Sequence, residues 1–268
     1  MCLIHVDFFS VSLMKITDYY AVIPNDVSPD VREGNLHYNR PMQTLILLHG
    51  YTGRSSDWIT GSPVRELSNK YNLAILMPDG SNSFYIDRKE TGSAYSTYVG
   101  QELLMHARSL FHLSNKREDT FIGGFSMGGF GAIRNGLKYS DCFSKIIGLS
   151  NALVTYMLAD LNKTEGNLLA NIPYFENIFG DLDKAWYTDK NPEVLVQELI
   201  QGGKEIPKLF LTCGTEDELL DVNRRFDKFL SANGVEHEYL EDAGMHDWNF
   251  WNKCLIPAFN WLTVSDCQ

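Results

Sequence analysis

The chain has 268 residues, 44% of them apolar and 21% charged, as in an ordinary soluble globular protein; this length suits one α/β domain, with or without an inserted cap. Its formal net charge is −11 and no basic block occurs, which argues against nucleic-acid binding and against anionic membranes or polyanionic substrates. Five cysteines (Cys2, Cys142, Cys213, Cys254 and Cys267), an odd count without a CxxC, point to free thiols in a reducing, cytoplasmic compartment.

The opening stretch, MCLIHVDFFSVSLMK, lacks a basic leader and is interrupted by His5 and Asp7, so it makes a poor signal peptide. It alternates like a strand. Ile4–Phe9 and Tyr19–Ile23 are expected to form an antiparallel hairpin at a sheet edge. Thr44–Leu48 is apolar at nearly every position, the mark of a strand covered on both faces, and the pattern recurs at Leu73–Met77, Thr120–Phe125, Lys145–Leu149, Lys208–Cys213 and, more weakly, Glu236–Leu240. Helical patterns lie between them: Pro63–Lys70, Thr97–Leu113, Met127–Lys138, Asp221–Ala232 and Asp247–Leu262. Strands alternating with helices predict a mostly parallel sheet covered on both sides. Residues 151–207 break the alternation; they fit either a partial cap over a site or ordinary packing helices. Asn162-Lys163-Thr164 is a glycosylation sequon, which carries weight only in a secreted protein. No apolar run reaches the roughly 18 residues of a membrane helix.

The strongest chemical signal is Gly124-Phe125-Ser126-Met127-Gly128, which follows an apolar strand and opens a helix. A serine nucleophile has to project from a very tight strand-to-helix turn, and glycines on its flanks remove the clashes that such a turn creates. The new helix aims its first amides at the place where an oxyanion would form. A serine also needs a base. Of the seven histidines, His5 and His37 precede the core, His106 and His112 are expected to be solvated, His237 sits in a strand, and His49 is expected to be a structural loop residue. His246, in Asp242-Ala243-Gly244-Met245-His246-Asp247-Trp248, falls on the same side of the sheet as Ser126. The acid should follow an intermediate strand, where Glu216, Asp217, Glu218 and Asp221 compete. Asp217 is preferred, Glu216 comes next, and Asp221 is expected to cap the following helix. For the oxyanion hole the candidates are the amides of Met127 and Tyr51. No metal or cofactor motif is present: there is no HExxH, no EF-hand loop and no GxGxxG.

Leu48-His49-Gly50, Pro78-Asp79-Gly80, Gly124–Gly131, Cys213-Gly214-Thr215-Glu216-Asp217 and Gly244-Met245-His246-Asp247-Trp248 together resemble the esterase family of α/β-hydrolases that includes tributyrin, feruloyl and acetyl xylan esterases and the esterase D (S-formylglutathione hydrolase) group. The likeness runs over nearly the whole chain. It implies an α/β-hydrolase fold, a triad at Ser126, Asp217 and His246, and an oxyanion hole at Tyr51 and Met127. It also implies a serine carboxylesterase acting on short-chain acyl or hydroxycinnamoyl esters, with thioester hydrolysis or acyl transfer as alternatives. The expected substrate is a small ester, an acylated sugar among the candidates; a homo-oligomer stays open. Aromatic residues expected to line the pocket are Trp58, Tyr85, Trp248 and, from the cap, Trp186, beside Tyr51, Phe84, Tyr95 and Trp251, several of which fit a core role equally well.

Overall fold

Runs in which almost every residue is apolar can be buried on both faces, and here they form the centre of an eight-stranded sheet. The computed structural model describes residues 1–88, 91–160 and 171–263, with only the backbone of 159 and 160. The sequon at Asn162 and the fifth cysteine, Cys267, lie outside the described residues. The strands are β1 (Cys2–Ser10), β2 (Lys15–Ile23), β3 (Gln43–Leu48), β4 (Leu73–Pro78), β5 (Asp87–Arg88), β6 (Ser93–Ala94), β7 (Thr120–Phe125), β8 (Lys145–Leu149), β9 (Lys208–Gly214) and β10 (His237–Asp242). The helices are α1 (Pro29–Arg32), α2 (Asp57–Gly61), α3 (Val64–Tyr71), α4 (Tyr95–Thr97), α5 (Leu103–Phe111), α6 (Met127–Lys138), α7 (Val154–Asp160), α8 (Ile172–Phe179), α9 (Leu182–Ala185), α10 (Pro192–Gln201), α11 (Leu220–Ala232) and α12 (Trp248–Thr263).

The large sheet runs β1-β2-β4-β3-β7-β8-β9-β10, and β5 and β6 form a separate ribbon. The pairs β1/β2 and β2/β4 are antiparallel and all others in the large sheet are parallel, so the expected edge hairpin and mostly parallel sheet are both present. Successive residues of β3 feed opposite cores, as the period of a strand requires. Ile46 and Leu48 join Ile122, Ile133, Leu195 and Phe226 under α6, α10 and α11, whereas Leu45 and Leu47 join Phe121, Leu67, Leu255 and Phe259 under α3 and α12.

The chain passes from β3 to β4 on one side, then returns across β3 to β7 on the other. The loops leaving β3 and β7 therefore diverge, and a crevice opens at the C-terminal ends of these strands, where ligands bind in open α/β sheets. The predicted helix over 97–113 is divided: α4 and α5 are joined by a π-helical turn, Tyr98–Glu102. A side chain at Gly100, inside that turn, would run into the Tyr139 ring. Asp221 is not the helix cap expected. Helix α11 is capped by Leu219, whose amide donates to Asp217 Oδ1 at 2.9 Å, which leaves Asp221 in its first turn.

Residues 151–207 contribute helices α7 to α10. Part of the segment is ordinary packing, since Leu195, Val196 and Leu199 of α10 are buried in the main core. The wholly buried Arg134 of α6 holds the loop before α10, donating to the Asp189 carbonyl at 3.0 Å and carboxylate at 2.6 Å. Helix α8 joins the same core through Ile178 and Phe179 and also reaches the loops at the crevice: Tyr174 donates to the Asn82 carbonyl at 2.6 Å and packs edge-on against Tyr51. No helix of the described residues is long and apolar enough to cross a membrane.

Candidate active site

Ser126 stands between the last residue of β7 and the first of α6 with φ 55° and ψ −121°. Three hydrogen bonds pin this backbone: its amide donates to Leu149 O at 2.9 Å, and its carbonyl accepts from Phe130 at 3.1 Å and Ala152 at 3.1 Å. The flanking glycines are required by close approach. A side chain at Gly124 would strike the Gly128 carbonyl, and one at Gly128 would strike the carbonyls of Leu48 and His49. Backbone strain is concentrated at this rim. Six non-glycine residues with positive φ (Thr52, Ser81, Phe84, Tyr85, Ser126 and Ser150) lie in the loops leaving β3, β4, β7 and β8.

The structure brings Asp217 and His246 together. His246 Nδ1 donates to Asp217 Oδ2 at 2.9 Å, which places the proton on Nδ1 and leaves the lone pair on Nε2. The Asp217 side chain has no exposed surface, whereas that of His246 is 28% exposed. Burial opposes the Asp217 charge. Hydrogen bonds from His246, the Leu219 amide and the Ser150 hydroxyl outweigh it, so the carboxyl is held below the usual carboxylate range. Glu216 faces elsewhere: it accepts from the Gly244 amide at 2.5 Å and so ties the acid loop to the histidine loop. At Gly214 the two loops approach so closely that a side chain would strike the Gly244 carbonyl.

Aromatic rings join the serine turn to the histidine. Phe125, next to Ser126, stacks on Trp251 at 4.3 Å between centroids, and the His246 ring meets Trp251 edge-on at 5.2 Å. Ser126, Ser150 and Asp217 follow the adjacent strands β7, β8 and β9, and His246 follows β10. Ser150, which sequence reasoning missed, links this set: its Oγ accepts from Trp251 Nε1 at 3.1 Å and bonds Asp217. A single serine after a strand has no distinguishing spacing; its only signal is a polar residue at the C-terminal end of an apolar run. Cys213 is no rival nucleophile, because burial and the Asp217 charge push its thiol up to about 12.

The loop after β3 backs onto the serine. A side chain at Gly50 would meet the Phe125 ring and lie 3.4 Å from Ser126 Cβ, and Tyr51 comes next. Met127 is the first residue of α6, so its amide has no carbonyl within the helix to bind. His49 is structural, as expected: Nδ1 donates to Gly50 O at 2.8 Å and Nε2 accepts from the Gly80 amide at 2.8 Å. Asp79, 3.6 Å from Nε2, is the weaker neighbour of that nitrogen. His106 is only partly solvated; it stacks on Phe8 and bonds the Tyr19 hydroxyl at 3.1 Å.

The predicted pocket aromatics divide. Trp58 and Tyr85 are core residues without open surface. Trp58 Nε1 donates to Leu48 O at 3.1 Å, and the Tyr85 hydroxyl donates to His49 O at 3.0 Å, so each polar tip is used to brace the loop after β3. Trp248 is half-buried two residues after His246, edge-on to Phe125 and Trp58. Trp186 packs against Tyr156 with the Arg225 guanidinium over its ring, among α7, α9 and α11.

The strained Ser126 turn at the topological crevice and the Asp217–His246 pair on the same rim stand on an α/β-hydrolase fold, and the class is that of the serine hydrolases. Residues 30–262 match the model of the family described as "Putative esterase", and the chain belongs to that family. It is a carboxylic ester hydrolase. It is 42% identical over 267 residues to an acetyl esterase of Caldicellulosiruptor saccharolyticus, covering 99% of this chain and 100% of that one. Among solved structures it resembles a fluorophosphonate-binding serine hydrolase of Staphylococcus aureus, with a TM-score of 0.85 and 29% identity over 98% of this chain and 99% of that one. It also resembles an S-formylglutathione hydrolase of the same organism, with a TM-score of 0.82 and 28% identity over 98% and 99%.

Proposed function

We propose that the chain hydrolyses esters of short acyl groups, acetate foremost, through an acyl-enzyme on Ser126. The observation that carries this reading is the His246–Asp217 hydrogen bond of 2.9 Å on the rim that also holds the strained Ser126 turn. His246 Nε2 takes the Ser126 hydroxyl proton while Oγ attacks the ester carbonyl. The oxyanion is received by the amides of Met127 and Tyr51. Collapse expels the alcohol, which takes the proton back from His246. Water, deprotonated by the same nitrogen, then releases the acid and restores Ser126. Asp217 fixes the imidazole tautomer and stabilises the imidazolium.

The acetyl preference rests on the full-length likeness to the acetyl esterase. Trp248 is half-buried two residues after His246, and an aromatic ring there suits a sugar on the alcohol side, so we extend the reading to acetylated sugars. Thioester hydrolysis is the second reading, favoured by the likeness to the S-formylglutathione hydrolase. Specificity constants for nitrophenyl esters from acetate to palmitate, set beside methyl ferulate, acetylated xylose and S-formylglutathione, test both. An optimum at acetate or butyrate supports the proposal. An optimum at long chains refutes it, and a specificity constant for S-formylglutathione far above every oxygen ester favours the second reading.

A further inference from the structure

We propose that two copies of this chain join edge to edge through β1, antiparallel about a two-fold axis at Val6, so that the sheet continues from one copy into the next.

An open strand edge offers unpaired amides and carbonyls to any other strand, and proteins usually blunt it with charge, proline, bulges or brevity. The two edges of this sheet differ. At one, β10 is six residues long and carries Glu238, Glu241 and Asp242. At the other, β1 is nine residues long, contains neither proline nor lysine, and pairs with β2 in unbroken register from Cys2 to Ser10. Its other side has no strand beside it among the described residues. Leu3 is 39% and Phe9 57% exposed along it, and Met105, on the flanking α5, is 70% exposed. The edge is also held rigid. Glu102 accepts from the amides of Val11 and Ser12 and from the Ser10 hydroxyl, which fixes the hairpin turn to the helical layer.

Charge selects the occupant and the register. Asp7 stands directly opposite Asp18 on β2, a like-charged cross-strand pair. Asp18 is compensated, by His5 at 3.1 Å and the Ser55 hydroxyl at 2.6 Å. Asp7 is exposed and has no ion-pair partner among the described residues. A second β1, running antiparallel and centred on Val6, places the partner subunit's His5 opposite Asp7, and by symmetry Asp7 of the partner subunit opposite His5. The same register sets Leu3 against Phe9 of the partner subunit on one face, and Ile4 against the partner's Phe8 on the other. Only shifts by two residues keep outward-facing backbone groups paired. One such shift sets His5 on the partner's His5, and the other sets Asp7 on the partner's Asp7. The centred register alone sets an imidazole donor against a carboxylate, and it is self-complementary, as a two-fold interface requires.

The test begins with light scattering on the full chain at micromolar concentration, where twice the 30.5 kDa chain mass is expected. Leu3→Lys with Phe9→Lys should give a monomer that keeps its esterase activity per chain. Asp7→Lys alone should weaken the dimer several-fold, and His5→Glu added to it should restore the affinity. Oxidative crosslinking in a Cys2→Ser background fixes the register. Val6→Cys sits on the axis opposite its own mate, at a spacing that small adjustments bring within disulfide reach. Phe8→Cys lies four residues from its mate, about 14 Å along the strand, and should not crosslink. A monomeric wild-type chain overturns the proposal. So does a dimer that survives the lysine pair, or a Phe8→Cys crosslink that outpaces Val6→Cys. Should the lysine variant fail to fold, the crosslinking comparison decides alone.

Discussion

Replacing Ser126 with glycine should abolish activity and make the protein more stable than replacing it with alanine. Ser126 holds φ at 55° because three backbone hydrogen bonds, to Leu149, Phe130 and Ala152, leave its peptide units no alternative. Such conformations cost non-glycine residues on the order of 1–3 kcal/mol. Alanine keeps the β-carbon and so keeps the cost. Glycine removes it, but gives up roughly 0.5–1 kcal/mol to the greater freedom of its unfolded chain. The glycine variant should therefore exceed the alanine variant by about 1 kcal/mol, the reverse of the usual order. An unfolding entropy of roughly 2.1 cal/mol/K per residue, taken over the 268 residues, makes that about 2 °C in Tm. Denaturant and thermal unfolding of both variants, followed by circular dichroism, measure the difference, with nitrophenyl acetate turnover read in parallel. An alanine variant as stable as the glycine variant would refute the claim that the turn stores strain. Near-native turnover in either would remove Ser126 from the chemistry.

Asp217→Asn should lower kcat on the order of 10⁴-fold, because the amide no longer orients the imidazole, whereas Glu216→Gln, at a carboxylate bonded to the Gly244 amide and the Thr215 hydroxyl and not to His246, should cost far less; the reverse order in steady-state kinetics would shift the acid to Glu216. Ser150→Ala removes the hydroxyl shared by Trp251 and Asp217, and should lower kcat by roughly tenfold with KM little changed, the equivalent of one lost hydrogen bond to a charged group; an unchanged kcat would make Ser150 a bystander. Acid stability should carry the mark of Asp217. Its carboxyl titrates lower folded than unfolded, so the stability it adds is present above the unfolded value near ~3.9 and is lost as pH falls through the folded value. Denaturant titrations between pH 5 and 2 should thus show a shallower loss of stability in Asp217→Asn than in the parent, and parallel slopes would contradict the depressed carboxyl.

What could be read in advance follows from where the physics is local. The run Thr120–Phe125, then glycine, serine and glycine, determines a strand, a turn and a helix within a few residues, and β7, Ser126 and α6 lie at the expected positions. The acid required more. Glu216 and Asp217 are neighbours in sequence, and only the approach of the β9 loop to the β10 loop decides which of them reaches His246. The misplaced cap has a local cause: Leu219, two residues before Asp221, already holds the N-cap position with its amide on Asp217 Oδ1, so the helix has begun before Asp221 is reached. Trp58 and Tyr85 misled for another reason. An aromatic residue just after a strand has the same pattern whether it faces a ligand or the core, and here their polar tips find backbone carbonyls inside. The double role of residues 151–207 was illegible because α8 and α10 are both apolar and both bury residues in the main core, and only the tertiary structure shows that α8 also reaches the crevice loops.

The central claim is that Ser126 carries the acyl group. Intact-mass and peptide mass spectrometry after brief incubation with a fluorophosphonate, and separately with nitrophenyl acetate quenched in acid, test it most directly. A single adduct on the peptide that contains Ser126, lost in Ser126→Ala and suppressed in His246→Ala, is the expected result. An adduct on any other residue, or undiminished labelling of Ser126→Ala, would contradict the account.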